Sequence, residues 1–220
     1  MQALIRLTFA AALALATAAS GQAPTNDAVN ARLLVAARTN DLPGLERALA
    51  DGAAINSRNR LGESALLIAA KRNQPAMAKA LVTAGADVNQ PAINGITPLM
   101  AAAYAGDADL VQLLLARGAD VTPVDRVKKT AMVYAAGEGH VAVVRLLLAR
   151  GVDPNQRYEN DLTALMWAAG FGRDETVRVL LEAGAKPDFK DNRGKTAADI
   201  ARENKHAATL RLLDPARAAS

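Results

Sequence analysis

The sequence predicts an all-α solenoid of six stacked helix-turn-helix units joined by hairpin-like loops. Two regularities carry the prediction. Gly52, Gly85, Gly118, Gly151 and Gly184 are each 33 residues apart, and so are Ser64, Thr97, Thr130, Thr163 and Thr196. A fixed period of this length marks one supersecondary unit copied along the chain, each copy burying its apolar faces against the next. A stacked array of this kind is a surface for holding something rather than a pocket for chemistry.

The chain opens with a different kind of sequence. Residues 1–23 hold one charge, Arg6, then an unbroken run of Leu, Ala, Phe and Thr from Leu7 to Ala19, with small residues toward Ala23. A basic start, a short apolar run and a small-residue end make a signal peptide the expectation. The run is shorter than the roughly 20 residues that span a bilayer. Cleavage after Ala18, Ser20 or Ala23 fits, Pro24 making the last less favourable. No Arg-Arg pair points to the twin-arginine route. The chain has no cysteine, so disulfides, thiolate metal sites and a lipid-modified N-terminal cysteine are excluded. With an Ala- and Arg-rich bacterial-looking composition, the expected location is the periplasm, with secretion beyond it left open.

The repeat domain is expected over 24–216, in units of about 26–57, 58–90, 91–123, 124–156, 157–189 and 190–216, with a tail at 217–220. The first unit has Arg32 to Ala37 where the others start their motif, as an N-terminal cap with one polar face does. The third is the clearest copy. Asn94-Gly95 suits a hairpin tip. Thr97 caps a helix with Pro98 in its first position. Leu99, Ala102 and Ala103 give that helix a slim apolar face. Gly106 breaks it and Asp107 starts a second helix, made apolar by Leu110, Val111, Leu113, Leu114 and Leu115 and stopped by Gly118. Helices of about two to three turns are too short to persist alone, so neighbouring copies have to cover them. The last unit ends at Leu212-Leu213, and Pro215 forbids further helix. Asp199, Arg202 and Glu203 suit its outer, wet face.

These units resemble the ankyrin repeat over residues 26–214. The family's Thr-Pro-Leu-His start appears as Thr97-Pro98-Leu99-Met100, its Gly-His pair as Gly139-His140, and its Gly-Ala-Asp ending as Gly85-Ala86-Asp87 and Gly118-Ala119-Asp120. Degenerate starts occur at Ser64, Thr130, Thr163 and Thr196. No copy keeps the family's first-helix histidine; Leu67, Met100, Val133, Met166 and Asp199 replace it. The hydrogen bonds of that histidine are therefore expected to be missing, so that cohesion rests more on packing.

Nothing in the sequence assembles into an active site. The two histidines, His140 and His206, share one repeat position 66 residues apart and read as turn residues. Asp87, Asp120 and Asp153 likewise share a turn position. No nucleophile elbow, phosphate loop or zinc-helix motif occurs. No enzymatic activity, metal or cofactor is expected.

The expected business is protein binding by a monomer, across the fingers and first helices of units three to five. Five finger hexads, 58–63, 91–96, 124–129, 157–162 and 190–195, hold nine basic and five acidic residues, while the whole chain carries a net charge of +4. Either these charges keep the turns soluble or they steer an acidic partner. The excess is too small for nucleic acid, and no membrane anchor is expected after signal cleavage. The finger with Ile93, Asn94 and Ile96 has no charge, and Val127, Tyr158 and Leu162 continue an apolar track flanked by Arg126, Lys129 and Arg157. An apolar centre with a charged rim suits a protein-binding patch. Tyr104 and Phe171, at the ends of first helices, are added as contacts; Tyr134 and Trp167 share one slot and serve either as core or as part of a binding wall. The role expected is an adaptor or scaffold, with an inhibitor or immunity protein as the alternative.

Overall fold

A computed structural model describes residues 27–214, which form twelve α-helices in six consecutive pairs. They are α1 (Asp27–Thr39), α2 (Leu42–Ala50), α3 (Ala65–Lys71), α4 (Pro75–Thr83), α5 (Pro98–Ala105), α6 (Ala108–Ala116), α7 (Ala131–Glu138), α8 (Val141–Ala149), α9 (Ala164–Gly170), α10 (Asp174–Glu182), α11 (Ala197–Glu203) and α12 (Ala207–Leu213). Among the described residues no strand forms; one antiparallel bridge joins Arg58 and Ser64. The expected signal peptide, Pro215 and the C-terminal tail lie outside the described residues.

The two sequence rulers mark the two ends of each unit. Ser64, Thr97, Thr130, Thr163 and Thr196 take extended backbone and cap α3, α5, α7, α9 and α11. Each side-chain oxygen accepts the N–H three residues on, at 3.2 to 3.4 Å. Gly52, Gly85, Gly118, Gly151 and Gly184 follow the second helices at φ between 82° and 90°. Nothing lies within 4 Å of a Cβ built on any of the five, so backbone angle alone calls for glycine there. A further series, Asn40, Asn73, Gly106, Gly139, Gly172 and Lys205, also has positive φ at the turn between helices in all six pairs.

First helices stack in one row, α1 to α3, α5, α7, α9 and α11; second helices from α4 to α12 stack in another. Leu33, Leu66, Leu99, Met132 and Leu165 are fully buried along the first row, and Leu81, Leu114, Leu147 and Leu180 along the second. Alanine pairs such as Ala102–Ala103 and Ala135–Ala136 are fully buried and let the first helices approach closely.

Hydrogen bonds between units add to the packing. An asparagine ladder crosses the units: Asn56 Oδ1 accepts from the Asp87 N–H (2.9 Å), Asn89 Oδ1 from Asp120 (2.9 Å) and Asn155 Oδ1 from Lys186 (2.8 Å). Asn89 and Asn155 also donate Nδ2 to the Gly118 and Gly184 carbonyls. At the intervening rung Thr122 is too short to cross and bonds Asp120 instead. His140 and His206 place Nε2 2.9 and 3.1 Å from the Tyr104 and Gly170 carbonyls of the preceding unit, and Arg173 does the same to Gly137 at 2.9 Å. The histidines are thus cross-unit ties. Each such bond contributes about 0.5–1.5 kcal/mol net.

Leu147→Ala, at a position with no exposed surface, should destabilise the fold by about 2–5 kcal/mol. Gly118→Ala, with open space around it, should cost only the left-handed backbone strain of about 1–2 kcal/mol. Chemical denaturation of the two variants checks both; a larger loss from the glycine change would show a steric constraint the space around it does not contain.

Candidate protein-interaction surface

Five fingers project between units, each closed by a bond from its second residue's N–H to its sixth residue's carbonyl. The pairs are Asn59–Glu63, Ala92–Ile96, Asp125–Lys129, Tyr158–Leu162 and Asp191–Lys195, at 2.8 to 3.0 Å. Adjacent tips are tied by Ile93 N–H to the Leu61 carbonyl (3.0 Å), Arg126 N–H to Asn94 (2.8 Å) and Asn192 N–H to Asn160 (3.0 Å). The corresponding bond from Glu159 to Val127 is not made. The fourth finger is distorted there: Asn160 and Asp161 both take left-handed backbone.

The third finger is pinned to the helix behind it. Asp125 is buried; its Oδ1 accepts the Val127 and Lys129 N–H groups (2.9 Å each), and its Oδ2 accepts the Tyr134 hydroxyl. Burial, and then the Asp125 carboxylate as acceptor, pushes the Tyr134 phenol well above the usual tyrosine range. This anchoring sends the Lys129 side chain across the first helices. Its Nζ lies 4.6 Å from the centre of the Trp167 ring and 5.5 Å from that of Tyr134. Tyr104 meets Tyr134 edge-on at 5.7 Å, and Phe171 stacks on Trp167 at 6.1 Å. Tyr134 and Trp167 therefore form a half-buried wall rather than sealed core.

The expected contact residues divide. Ile93 (65 % exposed), Val127 (62 %), Tyr104 (56 %) and Phe171 (51 %) present apolar surface, and Asn94 and Arg126 are exposed beside them. Ile96 does not: it is half-buried against the core, because the finger's closing bond turns its side chain toward α5. Tyr158 and Leu162 also pack inward, burial raising the Tyr158 phenol, so the apolar track stops at the third finger. The fourth tip is Glu159-Asn160-Asp161, all exposed. Lys129 is no free fingertip charge but part of the aromatic row. Arg157 lies 3.5 Å from Asp161 and over the Phe189 ring. Leu61, 63 % exposed on the first finger, was not among the expected contacts; its flanking charges hid it. Leu61, Ile93 and Val127 thus line three consecutive tips.

Much of the basic excess is internally spent. Arg193 binds Asp191 at 2.7 Å, Lys195 pairs with Glu203, and Arg58 donates to the Gly62 and Pro91 carbonyls. Among the described residues the side chains of Arg60, Arg126, Lys128 and Lys190 make no hydrogen bond or ion pair, and that of Glu159 is the finger carboxylate left equally free. Among the described residues no group of three or more histidines and carboxylates is placed to hold a metal, and no helix is long and apolar enough to cross a membrane.

The family profile for ankyrin repeats in three copies matches residues 33–125, 80–158 and 132–218. The chain belongs to the ankyrin-repeat family. Repeats of this family are protein–protein interaction modules, generally without enzymatic activity. A comparison with curated proteins finds no match.

The raised Tyr134 phenol makes a pH prediction. The unfolded chain ionises tyrosine near pH 10 while folded Tyr134 stays neutral, so its contribution is whole below about pH 10 and is lost as pH rises from there. The melting temperature should fall above that pH, and less steeply in Tyr134→Phe. Equal slopes for the two proteins would refute the linkage.

Proposed function

We propose that this ankyrin-repeat protein is an exported adaptor that holds an acidic protein partner in the bacterial periplasm. The observation that carries the reading is the line of exposed Leu61, Ile93 and Val127 on three tips, flanked by the free cations Arg60, Arg126 and Lys128. Exposed apolar fingertips serve no stacking purpose, and a contiguous apolar line with a cationic rim matches a partner with apolar residues set among carboxylates. The row of Tyr104, Lys129, Tyr134, Trp167 and Phe171 extends the same surface onto the first helices. Export rests on Arg6, the Leu7–Ala19 run and the small residues that follow.

Capture from periplasmic extract, followed by titration of the purified partner, tests the surface. Leu61→Asp and Ile93→Asp should keep the melting temperature and weaken binding by about tenfold or more. Charge reversal at Arg126 and Lys128 should mainly slow association, less so in high salt. Wild-type affinity in both Asp variants would move the binding surface elsewhere. If the partner is an enzyme that loses activity when bound, the role is inhibition rather than scaffolding. Fractionation with N-terminal sequencing tests export: a start between Ala19 and Pro24 outside the cytoplasm is expected, and intact Met1 in the cytoplasm would refute it.

A further inference from the structure

One slot of the first helices runs Ile68, Ala101, Tyr134, Trp167 and Ile200 along the stack. Four of these residues are large and one is small. Where Ala101 stands, the row has a gap, an open depression of about 240 Å³ lined by Lys71, Ile96, Met100, Ala101, Tyr104 and Tyr134. Its lining is aliphatic and aromatic apart from Lys71, whose ammonium is already held 2.6 Å from Glu63. Over the ring of Tyr134, which lines the depression, lies Lys129 Nζ, 5.5 Å from the ring centre, held by the Tyr134 and Trp167 faces and by no carboxylate among the described residues.

We propose that this depression takes one large apolar side chain of the partner and that Lys129 takes a carboxylate next to it. The proposal rests on the interaction-surface reading above and narrows the partner to a short acidic segment with a single apolar anchor. Size and charge both select this occupant. The gap admits one side chain, not a helix face. A cation lying between two rings keeps its charge unsatisfied and gains a full ion pair when an acid arrives beside the anchor. An anchor buried at the centre with a charge pair at its edge is the arrangement in which single residues dominate affinity.

Trp167 is the one tryptophan of the chain and lies beneath Lys129, so the site carries its own reporter. The probe is the capped peptide acetyl-Asp-Asp-Leu-Asp-Asp-amide, titrated against the full mature chain while Trp167 emission is read. A saturable change is expected, weakening with salt. The same peptide with alanine for leucine, or with lysines for the aspartates, should give none. Ala101→Ile should abolish the response while preserving the melting temperature, since Ile68 and Ile200 fill the same slot in two other units. Lys129→Gln and Tyr104→Ala should weaken binding by about fivefold or more, both positions tolerating change without core loss. No saturable response from the wild-type chain, or wild-type affinity in Ala101→Ile, overturns the anchor. Loss of the captured partner in Leu61→Asp and Ile93→Asp but not in Ala101→Ile would leave the fingertip surface standing and remove the anchor alone.

Discussion

Every helix after α1 is nine residues or shorter, and none can bury its apolar face within its own pair. The contact between one unit and the next is therefore the interaction on which everything else depends. Leu33, Leu66, Leu99, Met132 and Leu165 form a continuous buried line through the first helices because each meets its counterpart one unit along. The asparagine ladder and the histidine and arginine ties run the same way, from one copy to its neighbour. Stability is thus a chain of nearest-neighbour terms, and a defect at one junction is felt mainly by the units that share it.

That constraint leaves the rest of each unit free. Fingertips and the outer ends of first helices meet their neighbours through backbone groups, so their side chains vary without disturbing the period. The tips carry Leu61, Ile93 and Val127 in three copies and polar Asn160 and Arg193 in the next two. The first-helix slot accepts Ile, Ala, Tyr and Trp in turn. The third finger shows how one such departure from the repeat is held: Asp125 fixes the loop backbone with two bonds and Tyr134 with a third, and Lys129 is thereby laid across two rings.

Charge follows the same division. Nine basic residues in the fingers suggest a broad positive field, yet several are consumed locally. Arg193 stabilises the buried Asp191, whose carboxyl is held below the usual range because the Lys195 and Arg193 N–H groups and the Arg193 guanidinium outweigh burial. What remains for a partner is a smaller set, Arg60, Arg126, Lys128 and Lys190, with Lys129 set back among the aromatics. The two kinds of basic residue look alike in a sequence and differ only in what folds beside them.

The sequence by itself determined the repeat, the ends of each helix and the buried faces. These follow from local rules: a hydroxyl one residue ahead of a helix caps it, a glycine beyond one stops it, and leucines at helical spacing share a side. The second positive-φ series was harder to read because Asn40, Asn73 and Lys205 stand in for glycine, and the asparagine ladder because its partner lies one whole unit away. Only the tertiary structure decided which finger residues point outward. Ile93 and Ile96 are three residues apart and chemically the same, yet one is exposed and the other packs on the core, since the bond closing the finger sets their directions. It also decided that Leu61 joins Ile93 and Val127, that Tyr158 and Leu162 do not, and that Ala101 leaves a gap. Each of these depends on the neighbouring unit, and composition within one unit does not encode what the next unit covers.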